Sequence, residues 1–338
     1  MTNASLPKRL SLARLPTPIE KLERLSRRLG VELYVKRDDL TGLVETGNKV
    51  RKLEFLVAEA LSGGADTLIT CGTLQSNCAR AVAAVAARLG LRAVLALKGK
   101  RPAAPDGNLL LSRLLGAEVH YCSDQEFAGI DEIFLSLSDA VRARGGTPYV
   151  IPESGATELG ALGYLVAAQE LASEARGGGL AFDSVVITDF SGGSQAGLLM
   201  GKELYALSAE VIGIPVAFSA DEVRDRIRKT IDQAVGRFNL PVERPRDIHL
   251  LEGFQGMGRG VTRPEELAVI GEVAREEGLL LDPIYTAKAF LGLLTKLKED
   301  PRCFGRRVCF IHTGGVFSLF PFRDRLVSPD DGGSILSD

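Results

Sequence analysis

Lys49 closes a short polar loop, Thr46-Gly47-Asn48-Lys49, at the point where a helical pattern begins. Leu53, Leu56, Val57, Ala60 and Leu61 recur behind it at helical spacing. That spacing predicts an amphipathic helix with Lys49 at its mouth. The positive end of a helix dipole disfavours a further positive charge, so an amine there has a reason to become neutral. A neutral amine is the form that makes a Schiff base with a carbonyl compound. A lone loop lysine is ordinarily a solvated surface residue, so the reading depends on what else the chain supplies.

Four other segments carry chemistry. Asp189-Phe190-Ser191-Gly192-Gly193-Ser194-Gln195-Ala196-Gly197 follows a strand-like run, Val185-Val186-Ile187, and opens a helix. Ser191, Gly192, Gly193, Ser194 and Gln195 would bring backbone N–H groups and hydroxyls to an anion at a helix N-terminus. A phosphate suits that turn; an ordinary glycine-rich βα turn is the alternative. The spacing is neither GxGxxG nor GxxxxGK[ST], which argues against a dinucleotide and a nucleoside triphosphate. Thr73-Leu74-Gln75-Ser76-Asn77 also lies between a strand and a helix. Gln75, Ser76 and Asn77 offer neutral donors for a substrate carboxylate, and Ser76 is equally a good N-cap. Asp282-Pro283-Ile284-Tyr285-Thr286-Ala287-Lys288 leads into a helix bearing Phe290, Leu291 and Leu294. Tyr285 is a candidate acid or base, or else a packed core residue. Ile311-His312-Thr313-Gly314-Gly315 is a further glycine turn after a strand.

The elements that must position these residues alternate. Strand-like runs at 32–35, 67–70, 93–97, 118–121, 148–151, 185–187, 211–214, 248–250 and 308–311 are separated by helical patterns. Alternating βα units predict an α/β protein with two open, twisted, mostly parallel sheets and flanking helices, with a cleft between them. Valine and isoleucine runs without polar alternation fit strands buried on both faces. The glycines at 177–179 read as a boundary or a loop, and the polar segment 328–338 as a disordered tail.

The chain has 338 residues, 45% of them hydrophobic, enough for a sizeable core. Lys and Arg number 41 against 43 Asp and Glu, a net charge of −2, and no basic run points to nucleic acid. No apolar stretch is long enough to span a bilayer, and residues 1–15 lack the apolar centre of a secretory signal. The five cysteines are scattered without CxxC spacing, so neither a disulfide framework nor a metal site is expected, and a cytoplasmic location is. No G-x-S-x-G elbow marks a serine hydrolase.

Together, Val35-Lys36-Arg37-Asp38-Asp39, Gly47-Asn48-Lys49 with Arg51-Lys52-Leu53-Glu54, Gln75-Ser76-Asn77, Leu159-Gly160-Ala161-Leu162-Gly163-Tyr164, Gly193-Ser194-Gln195-Ala196-Gly197, Asp282-Pro283-Ile284-Tyr285 and His312-Thr313-Gly314-Gly315 form an ordered set. It resembles the pyridoxal-phosphate-dependent family of 1-aminocyclopropane-1-carboxylate (ACC) deaminase and D-cysteine desulfhydrase. The resemblance implies a tryptophan-synthase-β-like fold (fold type II). A small domain, 52–160, would close onto a large one, 1–51 with 161–327. Pyridoxal 5'-phosphate is the implied cofactor and a homodimer the implied assembly. Lys49 would be the Schiff-base lysine, and Asn77 would bond the cofactor's phenolic oxygen. The 191–195 turn would hold the phosphate. Ser76 would bind the carboxylate of a small amino-acid substrate, and Tyr285 would stand beside the reacting carbons.

Thr286 is expected to face the pyridine nitrogen, where ACC deaminases of this family carry glutamate. A neutral hydroxyl suits α,β-elimination better than cyclopropane opening. Lys49, or Tyr285 on the other face, would remove the Cα proton. The β-substituent would leave, and the released enamine would hydrolyse to pyruvate and ammonia. L-Cysteate sulfo-lyase and ACC deaminase activity are the alternative reactions. A cofactor-binding or amino-acid-sensing protein is the non-enzymatic alternative. The chain departs from the family pattern at Thr46, at Cys78 and at Gly256-Met257-Gly258-Arg259-Gly260, where a tyrosine is usual in place of Arg259. Arg259 would either face solvent or bind an anionic group on the substrate.

Overall fold

The runs of valine and isoleucine form strands buried on both faces, and these assemble into two separate sheets. The computed structural model describes residues 6–327 except Arg259; the segment 328–338, expected to be disordered, lies outside the described residues. The chain begins with β1 (Ile19–Lys21), α1 (Glu23–Leu29), β2 (Glu32–Lys36) and α2 (Asn48–Ser62). It continues through β3 (Thr67–Thr73), α3 (Asn77–Leu89), β4 (Arg92–Lys98), α4 (Gly107–Leu114) and β5 (Glu118–Cys122). α5 (Asp124–Ala128), α6 (Ile130–Ala143) and β6 (Pro148–Ile151) follow, then α7 (Glu158–Gly178), β7 (Ser184–Asp189) and α8 (Gly193–Leu204). The remainder is β8 (Glu210–Pro215), α9 (Ala220–Phe238), β9 (His249–Leu250), α10 (Pro264–Glu277), α11 (Thr286–Glu299), β10 (Arg307–Ile311) and α12 (Arg323–Leu326).

One sheet has the order β5-β4-β3-β6 and is parallel throughout. The other has the order β1-β2-β10-β7-β8-β9 and is parallel except for β1 against β2. β10 pairs with β2 on one side and β7 on the other. That pairing sets the turn after β10 beside the loop leading to Lys49 and the turn after β7.

The first sheet is drawn from residues 67–151 and the second from the two flanking stretches. The boundaries expected at 51/52 and 160/161 fall inside α2 and α7, so the lobes are joined by continuous helices rather than loops. The two helices touch closely. A Cβ on Gly163 of α7 would lie 2.5 Å from the Arg51 carbonyl oxygen of α2, which only glycine avoids. The glycines at 177–179 are neither boundary nor free loop: α7 runs through Gly178 and ends on Gly179 in the left-handed conformation, φ 65°. α10 was not anticipated, although Pro264 at its first turn and Gly278 at its end are ordinary helix signals.

α2 is not amphipathic in the expected sense. Leu53, Leu56, Val57 and Ala60 are buried and Leu61 is exposed, but Arg51, Lys52 and Glu54 are buried as well. The polar face has partners inside the protein. Glu54 accepts hydrogen bonds from the backbone N–H groups of Leu12 and Ala13 at 2.9 and 3.0 Å. Arg51 donates to both carboxylate oxygens of Asp38, at 2.7 and 2.9 Å, and to Glu170 of α7 at 2.8 and 3.0 Å. Tyr164 Oη and Thr17 Oγ1 donate to Asp38, and Lys36 pairs with Glu170 at 2.9 Å. Every acceptor of this buried cluster is engaged, which is the condition for buried charge to be tolerated.

Candidate active site

A partly open cavity lies where the two lobes meet. The start of α2 contributes Asn48 and Lys49, and the start of α3 contributes Asn77. The end of β7 and its turn contribute Thr188, Asp189, Phe190 and Ser191, with Ser194 from α8. Tyr285 enters before α11, and Thr313 and Gly314 from the turn after β10. Ligands of open α/β sheets bind at this edge, beyond the carboxyl ends of the strands.

Lys49 is held there by its backbone. Gly47, at φ 102°, turns the chain into α2, and Asn48 N–H donates to the Thr313 carbonyl at 3.0 Å. Thr41 Oγ1 accepts from Gly47 N–H at 2.9 Å and donates to Gly47 O at 3.1 Å. Arg80 of α3 donates to the Thr46 carbonyl at 2.9 Å and to Asn108 Oδ1 of α4 at 2.8 Å. The loop before Lys49 is thereby tied to both lobes.

The turn before α8 forms a cradle. Gly192 takes the left-handed conformation, φ 78°, and its N–H donates to Asp189 Oδ1 at 2.9 Å. Lys52, one helical turn after Lys49, reaches this cradle from α2: a Cβ on Gly193 would lie 3.1 Å from Lys52 Nζ. Lys52 is 1% exposed, and Nζ has no hydrogen-bond partner among the described residues. Burial, aided by the charge of Lys49, brings its amine down to about 7. The second oxygen of Asp189 also lacks a partner among the described residues, and burial pushes that carboxyl up to about 7.

The other expected residues separate into two groups. Lys49, Asn77, Ser191, Ser194 and Tyr285 line the cavity. The Tyr285 ring stands edge-on to Phe190 with centroids 5.7 Å apart. Asn77 Oδ1 accepts from Asn108 Nδ2 at 2.9 Å. Ser76 caps α3, its Oγ accepting from Ala79 N–H at 3.1 Å. Gln75, Gln195 and Thr286 spend their polar groups elsewhere. The Gln75 amide donates to Asp106 O and accepts from Asn108 N–H. Gln195 is fully buried and donates to His249 O at 2.9 Å, anchoring α8 beneath β9. Thr286 is fully buried, its Oγ1 donating to Asp282 Oδ1 at 2.8 Å and accepting from Asp282 N–H at 2.7 Å. It does not line the cavity, whereas Thr313 does. Arg259 lies outside the described residues; the turn before it is held by Lys288, which donates to Gln255 O and Gly258 O at 3.2 and 2.9 Å. Lys52, Asp189 and Thr313 were missed. A signal for Lys52 existed: it follows Lys49 by three residues, on the same helical face.

A family model described as pyridoxal-phosphate dependent enzyme matches residues 10–314. The chain belongs to this family. A D-cysteine desulfhydrase of Yersinia pestis (strain Pestoides F) is 42% identical over 323 residues, 94% of this chain and 97% of that protein. A bifunctional D-cysteine desulfhydrase/1-aminocyclopropane-1-carboxylate deaminase, mitochondrial, of Arabidopsis thaliana is 40% identical over 328 residues, 94% and 80% of the two chains. The crystal structure of an ACC deaminase homologue superposes with a TM-score of 0.86 at 35% identity, covering 96% of each chain. The architecture is fold type II of the pyridoxal-phosphate enzymes.

The residues present fit that cofactor. A buried lysine amine without an acceptor, at a helix N-terminus that carries Ser191 and Ser194, is a site prepared for an anion such as a phosphate. Lys49 lines the same cavity and supplies the amine a Schiff base requires.

Proposed function

We propose that the chain catalyses α,β-elimination on a small cysteine-like amino acid, converting D-cysteine to pyruvate, ammonia and sulfide. The observation that carries this reading is one cavity holding Lys49 and Tyr285 beside the Lys52 cradle. The D-cysteine desulfhydrase relative at 42% identity supports the choice of reaction. Pyridoxal phosphate, when bound, supplies the electron sink that lets Cα lose a proton. Lys49 holds the cofactor and takes that proton on its Nζ; Tyr285 Oη is the acid or base on the other side. Ser76 and Asn77, at the N-terminus of α3, bind the substrate carboxylate. Lys52, Ser191, Ser194 and the N–H groups of the turn hold the phosphate. Thr313 lines the cavity and Thr286 is committed to Asp282, so the neutral hydroxyl at the pyridine nitrogen is assigned to Thr313.

The reading includes a cytoplasmic homodimer. Cys78, Cys122, Cys303 and Cys309 are free thiols, as a reducing compartment keeps them. No helix among the described residues is long and apolar enough to cross a membrane.

A pyruvate-release screen over D-cysteine, L-cysteine, L-cysteate, β-chloro-D-alanine and ACC tests the proposal. D-Cysteine and β-chloro-D-alanine should turn over, with ACC slower. Lys49→Ala should abolish both pyruvate release and the visible absorbance band. Tyr285→Phe should keep the band and lose on the order of 100-fold or more in kcat. Retention of the band in Lys49→Ala would refute the assignment of the lysine. Exclusive turnover of ACC would replace elimination by ring opening, the second activity in the name of the Arabidopsis relative.

A further inference from the structure

The cradle that fits a phosphate already contains an acid. Asp189 ends β7 and is buried at 2% exposure. One of its oxygens accepts from Gly192 N–H at 2.9 Å, so the carboxyl is tied to the turn. Its other oxygen is buried and has no hydrogen-bond partner among the described residues, and Asp189 lines the cavity together with Ser191 and Ser194. The charged groups acting on it are Lys49 and Lys52, both from α2. Cys78 of α3 acts on those lysines, and Glu153 of the turn after β6 acts on Cys78. Across the cavity stands Tyr285; on the side of α9, Arg226 and Lys229 border an adjoining cleft shared with Phe190 and Ser191.

An ionised carboxylate and a phosphate dianion in one dry cradle repel each other, and one lysine cannot neutralise both. A neutral carboxyl reverses the interaction. Its O–H donates to a phosphate oxygen, its other oxygen keeps Gly192, and the unpartnered atom gains a partner. We propose that Asp189 is the proton-carrying member of the phosphate cradle, neutral while the phosphate is seated and weakening its hold when it ionises. The proton comes from solvent as the phosphate enters, rests on the outer Asp189 oxygen, and returns to solvent when the phosphate leaves. Burial, which pushes this carboxyl up to about 7, sets the exchange near neutral pH. The inference rests on the reading that the 191–194 turn holds the cofactor's phosphate.

The test compares pyridoxal phosphate with pyridoxal, which lacks the phosphate, by absorbance titration of the apoenzyme from pH 6 to 9. The ratio of the two Kd values isolates the phosphate end from the chemistry of Lys49. In the wild type, the advantage of the phosphorylated form should fall by about tenfold per pH unit above neutrality. Asp189→Asn keeps an acceptor for Gly192 but cannot ionise. It should remove the share of the fall that Asp189 causes and leave only that of the Lys52 amine, bind the phosphorylated form at least as well as wild type at pH 6, and bind it about tenfold or more tighter than wild type at pH 8.5. Calorimetry at pH 8 in two buffers of different ionisation heat should show about one proton fewer taken up per phosphate in the variant. An unchanged slope, weaker binding at every pH, or unchanged proton uptake in Asp189→Asn would overturn the proposal. Lys52→Met reports on the cradle itself. If it keeps the full advantage at every pH, the phosphate lies elsewhere and both readings fall. If it loses the advantage, the phosphate is seated in the cradle, and the Asp189→Asn profile alone decides the role of the carboxyl.

Discussion

Arg51 grips Asp38 through two parallel hydrogen bonds, Nε to Oδ2 at 2.9 Å and Nη2 to Oδ1 at 2.7 Å. Both side chains are 1% exposed or less, and the grip fixes α2, the helix that carries Lys49 in its first turn, to the loop after β2. Arg51→Met leaves Asp38 charged and buried without its main partner. The expected cost is about 3–5 kcal/mol, read from urea unfolding. Arg51→Lys should recover only part of it, because an ammonium cannot make the two-point contact.

The same cluster sets an acid limit. Burial opposes ionisation of Asp38 and Glu170, but the charge and hydrogen bonds of Arg51 overcome it, so both titrate below their ordinary values of 3.8 and 4.5. A carboxylate with a depressed folded-state pKa contributes stability that is complete above its unfolded value. That stability is lost as pH falls through the folded value. Unfolding free energy should therefore hold steady down to about pH 5 on this account and decline below about pH 4. In Asp38→Asn the decline should be shallower, as measured by denaturant titrations at each pH.

Lys52 is arranged for a ligand at the expense of the empty protein. Removing an unpartnered buried amine should leave the apoenzyme as stable or more so. In Lys52→Met, thermal melting of the apoenzyme should stay level or rise, while the increase on adding pyridoxal phosphate should shrink. The loss of a charge-assisted hydrogen bond predicts a Kd weaker by roughly 10- to 100-fold. A variant that melts lower as apoenzyme but binds normally would make Lys52 a packing residue.

Two threonines differ in setting: Thr286 is bonded to Asp282 and Thr313 lines the cavity. Thr286→Val removes a donor and an acceptor from the buried Asp282 and should cost about 1–3 kcal/mol. It should leave the cofactor's absorbance maximum in place. Thr313→Val should shift that maximum or slow pyruvate release with little change in stability. The reverse pattern would return the ring-nitrogen contact to Thr286.

Periodicity and residue type made the fold legible. The βα rhythm, the buried strands and the place of Lys49 in the first turn of a helix all follow from local pattern. Partners distant in sequence were not legible. Arg51, Lys52 and Glu54 look like the solvent face of α2, and only Asp38, Glu170 and the backbone at 12–13 show why that face turns inward. Gln195 reads as a donor in a phosphate turn, yet a half-turn of helix sends its amide under the sheet to His249 O. Thr286 follows a cavity residue directly, and Asp282, four residues earlier, takes its hydroxyl. Each difference depends on which way a side chain points at the start of a helix, and spacing alone does not set that direction.

β10 has a consequence for the birth of the protein. The strand is made of residues 307–311, yet it is the neighbour that β2, at 32–36, requires on its inner side. As the chain leaves the ribosome, the sheet of residues 67–151 can close from contiguous sequence. β2 meanwhile waits with an open edge until nearly the whole polypeptide has been made. The lobe that contributes most of the cavity wall is therefore the last to be assembled, and no nascent chain that ends before Gly314 can form the finished cavity.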